Sequence, residues 1–183
     1  MHYGEQPAWS GVSWQADEYR SKDVLIFMIK LVHMDESTYQ FFLSQSIRDY
    51  AEDKVKAGAW DAKNALKQSQ EEMTRFLPKG LHTEGAYLYS IVEIASETQA
   101  GYIWFNVSEG RSGLEAFIYD FYIFEPFQGK GYGKQAMQAL DEEARSMNVT
   151  KIGLHVFGQN NRAYELYKKM GYIATDITMS KEL

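Results

Sequence analysis

The chain has 183 residues, and 45% of them are hydrophobic, which is enough for one domain with a sizeable core. A net charge of −6 argues against nucleic acid as the main partner, and the lack of cysteine excludes disulfides, thiolate metal sites and a cysteine nucleophile. No apolar run approaches the roughly 18 residues of a membrane span, and no secretion signal is visible, so we expect a cytoplasmic protein.

The first 27 residues differ in pattern from the rest of the chain. Trp9 and Trp14 lie among Gly, Ser and charged residues without a sustained hydrophobic period. A first strand is predicted to begin at Met28. We therefore expect residues 1–27 to be an N-terminal extension and residues 28–183 to form the domain.

Two helices are predicted next. Ser37 and Gln40 have the spacing of a capping box, so a helix is expected from Ser37 to about Lys56. Its apolar stripe consists of Tyr39, Leu43, Ile47 and Tyr50.

The second helix is predicted from about Asp61 to the Pro78–Gly80 stop, with Leu66, Met73 and Leu77 facing inward. Between the two helices, Trp60 either anchors the loop at the surface or lines a binding pocket.

Three β-prone runs follow, at Ala86–Ala95, Gly101–Val107 and Phe117–Phe124. They are separated by a polar turn at Ser96–Gln99 and a polar loop at Ser108–Gly113. Short polar turns between strands predict an antiparallel meander.

A glycine-dense turn follows the third run. Pro126 ends the strand, and Gly129, Gly131 and Gly133 lead into a helix whose apolar residues are Met137, Leu140, Ala144 and Met147. The first turn of a helix has unpaired N–H groups and about +0.5 of macrodipole charge, and glycine lets an anion approach the backbone closely. This turn is therefore predicted to hold an anion, although its spacing fits neither the dinucleotide fingerprint nor the nucleotide-triphosphate loop.

The last part of the chain adds a strand at Leu154–Phe157, a helix after Asn160 and an apolar final strand at Gly171–Met179. A helix that joins two strands of one sheet requires them to be parallel. We therefore expect a mixed sheet with helices on both faces.

Two patterns give the chain a resemblance to the GNAT superfamily of N-acetyltransferases. Gln128-x-x-Gly131-x-Gly133 resembles the pyrophosphate loop of that superfamily. Asn160-x-x-Ala163-x-x-Leu166-Tyr167-x-x-x-Gly171-Tyr172 resembles the second half of its core. The resemblance implies an α/β fold, with a mixed, mostly antiparallel sheet flanked by helices and a splayed strand pair around the coenzyme.

The same resemblance implies an N-acetyltransferase. Acetyl-CoA would be the co-substrate, no metal would be needed, and the acetyl group would pass directly to a primary amine of a small molecule or peptide. No nucleic-acid or membrane partner is expected, and a homodimer would be in keeping with the superfamily. The alternative is a non-catalytic acyl-CoA-binding sensor or interaction domain.

By resemblance, three groups of residues contact the coenzyme. The strand at Tyr122, Ile123 and Phe124 would pair with the pantetheine arm like an added strand. In the turn, Gln128 would help to shape the loop, and the N–H groups that would bind the pyrophosphate are those of Gly129, Lys130, Gly131, Tyr132, Gly133 and Lys134. Asn160, Ala163 and Tyr167 would complete the site from the last helix.

Tyr167 matches the general-acid tyrosine of the family, although its spacing also fits the apolar stripe of its helix. The acceptor amine must lose a proton, which for a lysine-like amine costs roughly 4.6 kcal/mol at pH 7. Candidate bases are Asp120, Glu115 and His155. A common family pattern has glutamate where this chain has Tyr119, which leaves open whether a carboxylate, a histidine or a water chain removes the amine proton. Asp120 could instead be a structural hydrogen-bonding residue at a strand bulge.

Overall fold

A computed structural model describes residues 28–179 and residue 181, so the predicted extension at residues 1–27 lies outside the described residues. The strands are β1 Ile29–His33, β2 Ala86–Glu93, β3 Gln99–Gly110, β4 Gly113–Ile123 and β5 Val149–Leu154. The α-helices are α1 Glu36–Lys56, α2 Ala65–Phe76, α3 Tyr132–Ser146 and α4 Asn161–Lys169. None of the helices in the described part of the chain is both long and apolar enough to cross a membrane.

The five strands form one sheet in the order β1-β2-β3-β4-β5. The first four pair antiparallel, and β5 pairs parallel to β4, which confirms the mixed, mostly antiparallel sheet. Pairing between β4 and β5 stops at Ile118 and Leu154, whereas β4 continues to Ile123. The two strands therefore separate beyond Ile118, as the resemblance implied.

Helices cover both faces of this sheet. On one face, α1 buries Phe42 against Tyr102 and Trp104, with ring centroids 5.1 and 6.1 Å apart. On the other face, α3 buries Met137 and Leu140 against the sheet. The site described below lies where the strands between these two layers separate.

The predicted start of α1 was wrong. Asp35 is the N-cap, and its carboxylate accepts hydrogen bonds from the Thr38 N–H at 2.7 Å and the Ser37 hydroxyl at 2.8 Å. The Gln40 side chain instead donates to Glu36. A carboxylate two residues upstream is a stronger acceptor than the serine hydroxyl, and it therefore sets where the helix begins.

The inward face of α2 was also partly wrong. Leu66 is exposed, while Ala65, Ser69 and Met73 are buried at a spacing of four residues. Residues 62–64 form a turn after Asp61, which delays the helix start to Ala65.

Three predictions about strands need correction. The predicted loop at Ser108–Gly113 is a hairpin, because Gly110 pairs with Gly113 and leaves only residues 111 and 112 between the strands. The predicted strand at Leu154–Phe157 is shifted, since β5 ends at Leu154. The predicted final strand at Gly171–Met179 is absent from this structure, in which residues 172–179 carry no regular secondary structure.

Candidate active site

The site is centred on the part of β4 that continues beyond its pairing with β5. Past Ile118, β5 provides no register partner, while β4 still pairs with β3 up to Ile123. Backbone groups on the β5 side of residues 119–123 therefore face the gap between the strands. An extended ligand can add to such an edge as a further strand would.

A β-bulge in β4 decides which way Asp120 points. Asp120 pairs with Trp104 and Ile118 with Phe105, so Tyr119 is an extra residue without a partner on β3. Cross-strand partners share a face, and the extra residue therefore places Asp120 on the Trp104 face, toward α1. The Tyr119 ring stacks on Trp104 at 4.7 Å.

Helix α1 meets Asp120 with a buried hydroxyl. Ser46 is 1% exposed, and its hydroxyl donates a hydrogen bond to the Asp120 carboxylate. The pKa of Asp120 is raised to about 6, mainly by burial and in part by the negative charges of Asp49 and Asp53, whereas the Ser46 hydrogen bond lowers it. Asp120 is therefore a carboxylate that changes charge just below neutral pH.

Tyr167 on α4 belongs to the buried cluster that includes Ile118 of β4. The side chain is 9% exposed and packs against Tyr172 with ring centroids 5.7 Å apart. Burial raises the pKa of Tyr167 to about 12, and the nearby Asp120 carboxylate contributes to the increase. The Tyr167 phenol therefore keeps its proton at neutral pH.

The glycine turn has the geometry of an anion site. Gly129 and Gly131 have φ angles of 77° and 87°, and a Cβ added at either would meet no atom within 4 Å. Gly131 is the N-cap of α3 and provides no side-chain capping bond. The first-turn N–H groups of α3 are therefore available beside open space, so the turn fits a diphosphate.

Two side chains connect this turn with its neighbours. Gln128 donates from Nε2 to the Ile123 carbonyl at 2.7 Å, and its Oε1 accepts from the guanidinium of Arg162. Asn160 caps α4, with its side-chain oxygen accepting from the Ala163 N–H at 3.1 Å. Gln128 therefore ties the end of β4 to α4, which agrees with its expected role in shaping the loop.

The other side chains of the turn point elsewhere. Lys130 and Lys134 are exposed, and the Lys130 ammonium lies 5.9 Å from the ring centre of Phe127. The Tyr132 side chain is buried and donates to Glu93 of β2. Tyr132 can therefore contact a ligand in the turn through its backbone but not through its side chain.

The remaining candidate bases have different surroundings. His155 is exposed after β5 and packs edge-on against Phe157 at 5.2 Å. Glu115 lies 3.5 Å from Lys151, five residues before Asp120 and so roughly 17 Å away along the strand. Asp120 is the candidate whose charge acts on Tyr167.

Trp60 packs on the outer side of α1. Its ring lies 5.4 Å from that of Tyr50, and the Lys54 ammonium lies 5.4 Å from its ring centre. These contacts fit the interpretation of Trp60 as a surface anchor for the loop.

Sequence reasoning missed Ser46, Asp49 and Asp53. Together with Phe42 they are spaced four, three and four residues apart, which is the spacing of one helix face. The sequence analysis considered only the apolar stripe of α1, which does not contain these residues. A search for polar residues in register with a buried phenylalanine would have found them.

Comparison with known proteins gives a consistent match. The sequence model of the acetyltransferase (GNAT) family matches residues 49–172. The uncharacterized N-acetyltransferase YycN of Bacillus subtilis (strain 168) is 41% identical over 155 residues, covering 85% of this chain and 99% of that protein. The uncharacterized N-acetyltransferase YdgE of the same strain is 35% identical over 153 residues, covering 84% and 97%.

The solved structure of Bacillus subtilis YycN, a putative acetyltransferase, is similar to most of this chain. It superimposes with a TM-score of 0.81 and 42% sequence identity, covering 85% of this chain and 98% of that chain.

Replacing Ser46→Ala should raise the pKa of Asp120 above its value of about 6, because the lost hydrogen bond stabilises only the charged carboxylate. A rise of about one to two units is expected, since a hydrogen bond to a charged group is worth about 1.5–3 kcal/mol and one pKa unit corresponds to about 1.4 kcal/mol. The pKa is measured from the carboxyl carbon resonance of Asp120 during a pH titration.

The matched control is Ser69→Ala. Ser69 is equally buried, but its hydroxyl donates to the Ile47 carbonyl at 2.7 Å and does not contact Asp120. Equal titration curves for Ser46→Ala and the unchanged protein would show that the hydroxyl does not tune this carboxylate.

Proposed function

This chain belongs to the acetyltransferase (GNAT) family and is an acyltransferase, and on that premise we propose that it moves an acetyl group directly from acetyl-CoA to a primary amine of a small molecule or peptide. The observation that supports the proposal is the open edge of β4 beyond Ile118, which lies next in the chain to the open glycine turn at the start of α3. Asp120 on β4 and Tyr167 on α4 supply a proton acceptor and a proton donor for transfer to an amine, and the charge of Asp120 contributes to the raised pKa of Tyr167. The chain has no cysteine, so transfer does not use an acyl-cysteine intermediate.

The glycine turn and the end of β4 are the surfaces that would bind the coenzyme, whose thioester supplies the acetyl group. The N–H groups from Gly129 to Lys134 would donate to the diphosphate, each worth about 1.5–3 kcal/mol as a bond to a charged group. The edge of β4 at Tyr122–Phe124 would pair with the pantetheine arm. Asn160 and Ala163 at the start of α4 adjoin this turn through the Gln128–Arg162 bond.

Asp120 is assigned the role of general base, which takes a proton from the acceptor amine. An amine of pKa about 10.4 arrives protonated, and the negative charges of Asp49 and Asp53 on α1 favour its approach. With a pKa of about 6, Asp120 is ionised at neutral pH and can remove a proton from the ammonium group, directly or through water, which frees the nitrogen lone pair to attack the thioester carbon. Ser46 holds the carboxylate in place through its hydrogen bond.

Tyr167 is assigned the role of general acid, which donates a proton to the leaving thiolate. Its pKa of about 12 keeps the phenol protonated, so it can donate to the sulfur as the thiolate leaves. A thiol of pKa about 8.5 is already a fair leaving group, and this donation should therefore contribute about 10²–10⁴ in rate.

A panel of amines tests the reaction directly. Release of free thiol from acetyl-CoA is measured with diamines, amino acids, aminoglycosides and peptides over a range of pH. Turnover is expected with at least one amine and should fall below pH of about 6, where Asp120 becomes protonated and loses its capacity as a base. Coenzyme binding without turnover on any amine would contradict the proposal and favour the sensor alternative.

Replacing Tyr167→Phe should lower turnover at least tenfold while leaving coenzyme affinity nearly unchanged, because the ring stays in its packed position and only the proton is lost. Turnover is measured by thiol release, and affinity by calorimetry. Tyr164→Phe is the control, since Tyr164 lies on the exposed side of the same helix. A Tyr167→Phe enzyme as fast as the Tyr164→Phe enzyme would remove the assignment of Tyr167.

Replacing Gly131→Ala should weaken coenzyme binding about tenfold, or about 1.4 kcal/mol, because φ at +87° disfavours a Cβ and the added methyl group enters the open space of the turn. Gly58→Ala is the control. Gly58 has φ at +70° and equally open surroundings, but it follows α1 at the surface. Calorimetry with coenzyme A should separate the two variants, and an equal loss of affinity in both would exclude a specific role for the turn.

A further inference from the structure

Two tyrosine–glutamate hydrogen bonds attach α3 to β2, one near each end of the helix. The hydroxyl of Tyr132, the first residue of α3, donates to the Glu93 carboxylate on β2. The Tyr89 hydroxyl on β2 donates to the Glu143 carboxylate in the last turn of α3 at 2.8 Å. The two bonds have the same chemistry, and they differ in which end of α3 they hold.

The spacing of the two bonds fixes the direction of α3 on the sheet. Between Tyr132 and Glu143 the helix rises about 16 Å, and between Tyr89 and Glu93 the strand spans about 13 Å. These lengths are similar, so α3 runs opposite to β2, with its N-terminus at the Glu93 end. The start of α3 is therefore set by a contact with β2 as well as by the glycine turn before it.

Both partners at the start of α3 are held by further contacts. Tyr132 is 6% exposed, and its ring packs edge-on against Phe127 with centroids 5.7 Å apart. The Ser96 hydroxyl donates to the second carboxylate oxygen of Glu93 at 2.5 Å. The hydrogen bonds from Ser96 and Tyr132 lower the pKa of Glu93, so its carboxylate is charged at neutral pH. A phenol that donates to a charged carboxylate makes a strong hydrogen bond.

The glycine turn has no side chains of its own to order positions 129 and 131. A Cβ at either position would meet no atom within 4 Å, and Gly131 makes no side-chain cap for α3. The Tyr132 ring is joined to the backbone of the first turn through only two side-chain torsion angles. A ring that is fixed at its hydroxyl end therefore restricts the N–H groups of residues 132 and 133.

We propose that Tyr132 is a positioning residue for the coenzyme, because its hydrogen bond to Glu93 orients the first-turn N–H groups of α3 toward the diphosphate. The inference rests on the proposed function, since it takes the glycine turn as the diphosphate site. Donors that are already oriented bind more tightly, because the cost of ordering them is met during folding. Coenzyme affinity then depends on a side chain that does not touch the coenzyme.

Calorimetry with coenzyme A tests the positioning role. Tyr132→Phe should weaken binding about tenfold, because the ring stays packed but its hydroxyl no longer holds the first turn. Tyr89→Phe is the matched control, since it removes the same kind of bond at the far end of α3 and should leave the affinity within about twofold. Thermal unfolding measures the stability that each variant loses. Equal affinities of the two variants would overturn the proposal.

Two substitutions of Glu93 separate position from charge. Glu93→Gln keeps an oxygen that accepts from Tyr132, and coenzyme A should bind within about threefold of its affinity for the unchanged protein. Glu93→Leu removes the acceptor and should weaken binding about tenfold. Loss of a negative charge near the start of α3 would by itself favour an anion, so electrostatics alone predicts tighter binding. Tighter binding by Glu93→Leu would therefore contradict the positioning role.

A comparison of two acyl donors gives a readout that a loss of stability alone would not change. Acetyl-pantetheine has the thioester and the arm but lacks the diphosphate. With an amine that supports turnover, Tyr132→Phe should lower the preference for acetyl-CoA over acetyl-pantetheine about tenfold, measured as the ratio of kcat/KM values, whereas Tyr89→Phe should leave it unchanged. An unchanged ratio in Tyr132→Phe would refute the positioning role and leave the proposed function intact. An unchanged protein that does not bind coenzyme A would instead exclude the proposed function, and the positioning role with it.

Discussion

The central constraint in this structure is that β4 is longer than the neighbour it pairs with. A strand pairs through its backbone on both sides, and β4 has β3 on one side over its full length but β5 only as far as Ile118. Beyond that point its outer backbone groups need another partner. The glycine turn and α3 follow this end of β4, and α4 follows the same end of the parallel strand β5, so the gap lies beside the N-termini of two helices.

The electrostatics of the gap depend on opposing effects at a single carboxylate. Burial and two aspartates on α1 destabilise the charged form of Asp120, while Ser46 stabilises it. Without the hydroxyl the carboxylate would be protonated over more of the neutral range, and without burial it would be a weak base. The helix that carries Ser46 is itself fixed to the sheet by Phe42, so core packing and proton chemistry depend on the same helix face.

Local features were predictable from the sequence, and features that depend on distant parts of the chain were not. The glycine turn and the start of α4 after Asn160 are set within a few residues, and the sequence predicted both. The Ser46–Asp120 contact joins residues 74 apart, and no local pattern reports it. The predicted final strand at Gly171–Met179 illustrates the same limit, because its apolar residues favour a strand locally but a strand also needs a partner from elsewhere in the chain.

The bulge at Tyr119 decides the face of the sheet to which Asp120 points, whereas the identity of residue 119 does not. Because Tyr119 only adds one residue and rests its ring on Trp104, other side chains at this position would leave Asp120 facing α1. If the strands paired without the bulge and Tyr119 opposed Trp104, Asp120 would oppose Ile103 and lie on the opposite face of the sheet. A related chain that lacks the extra residue would have an acidic side chain directly after the position of Ile118, and that side chain would still oppose Trp104 and face the same helix. An acidic residue displaced by one position in the sequences of related chains can therefore occupy the same place in three dimensions.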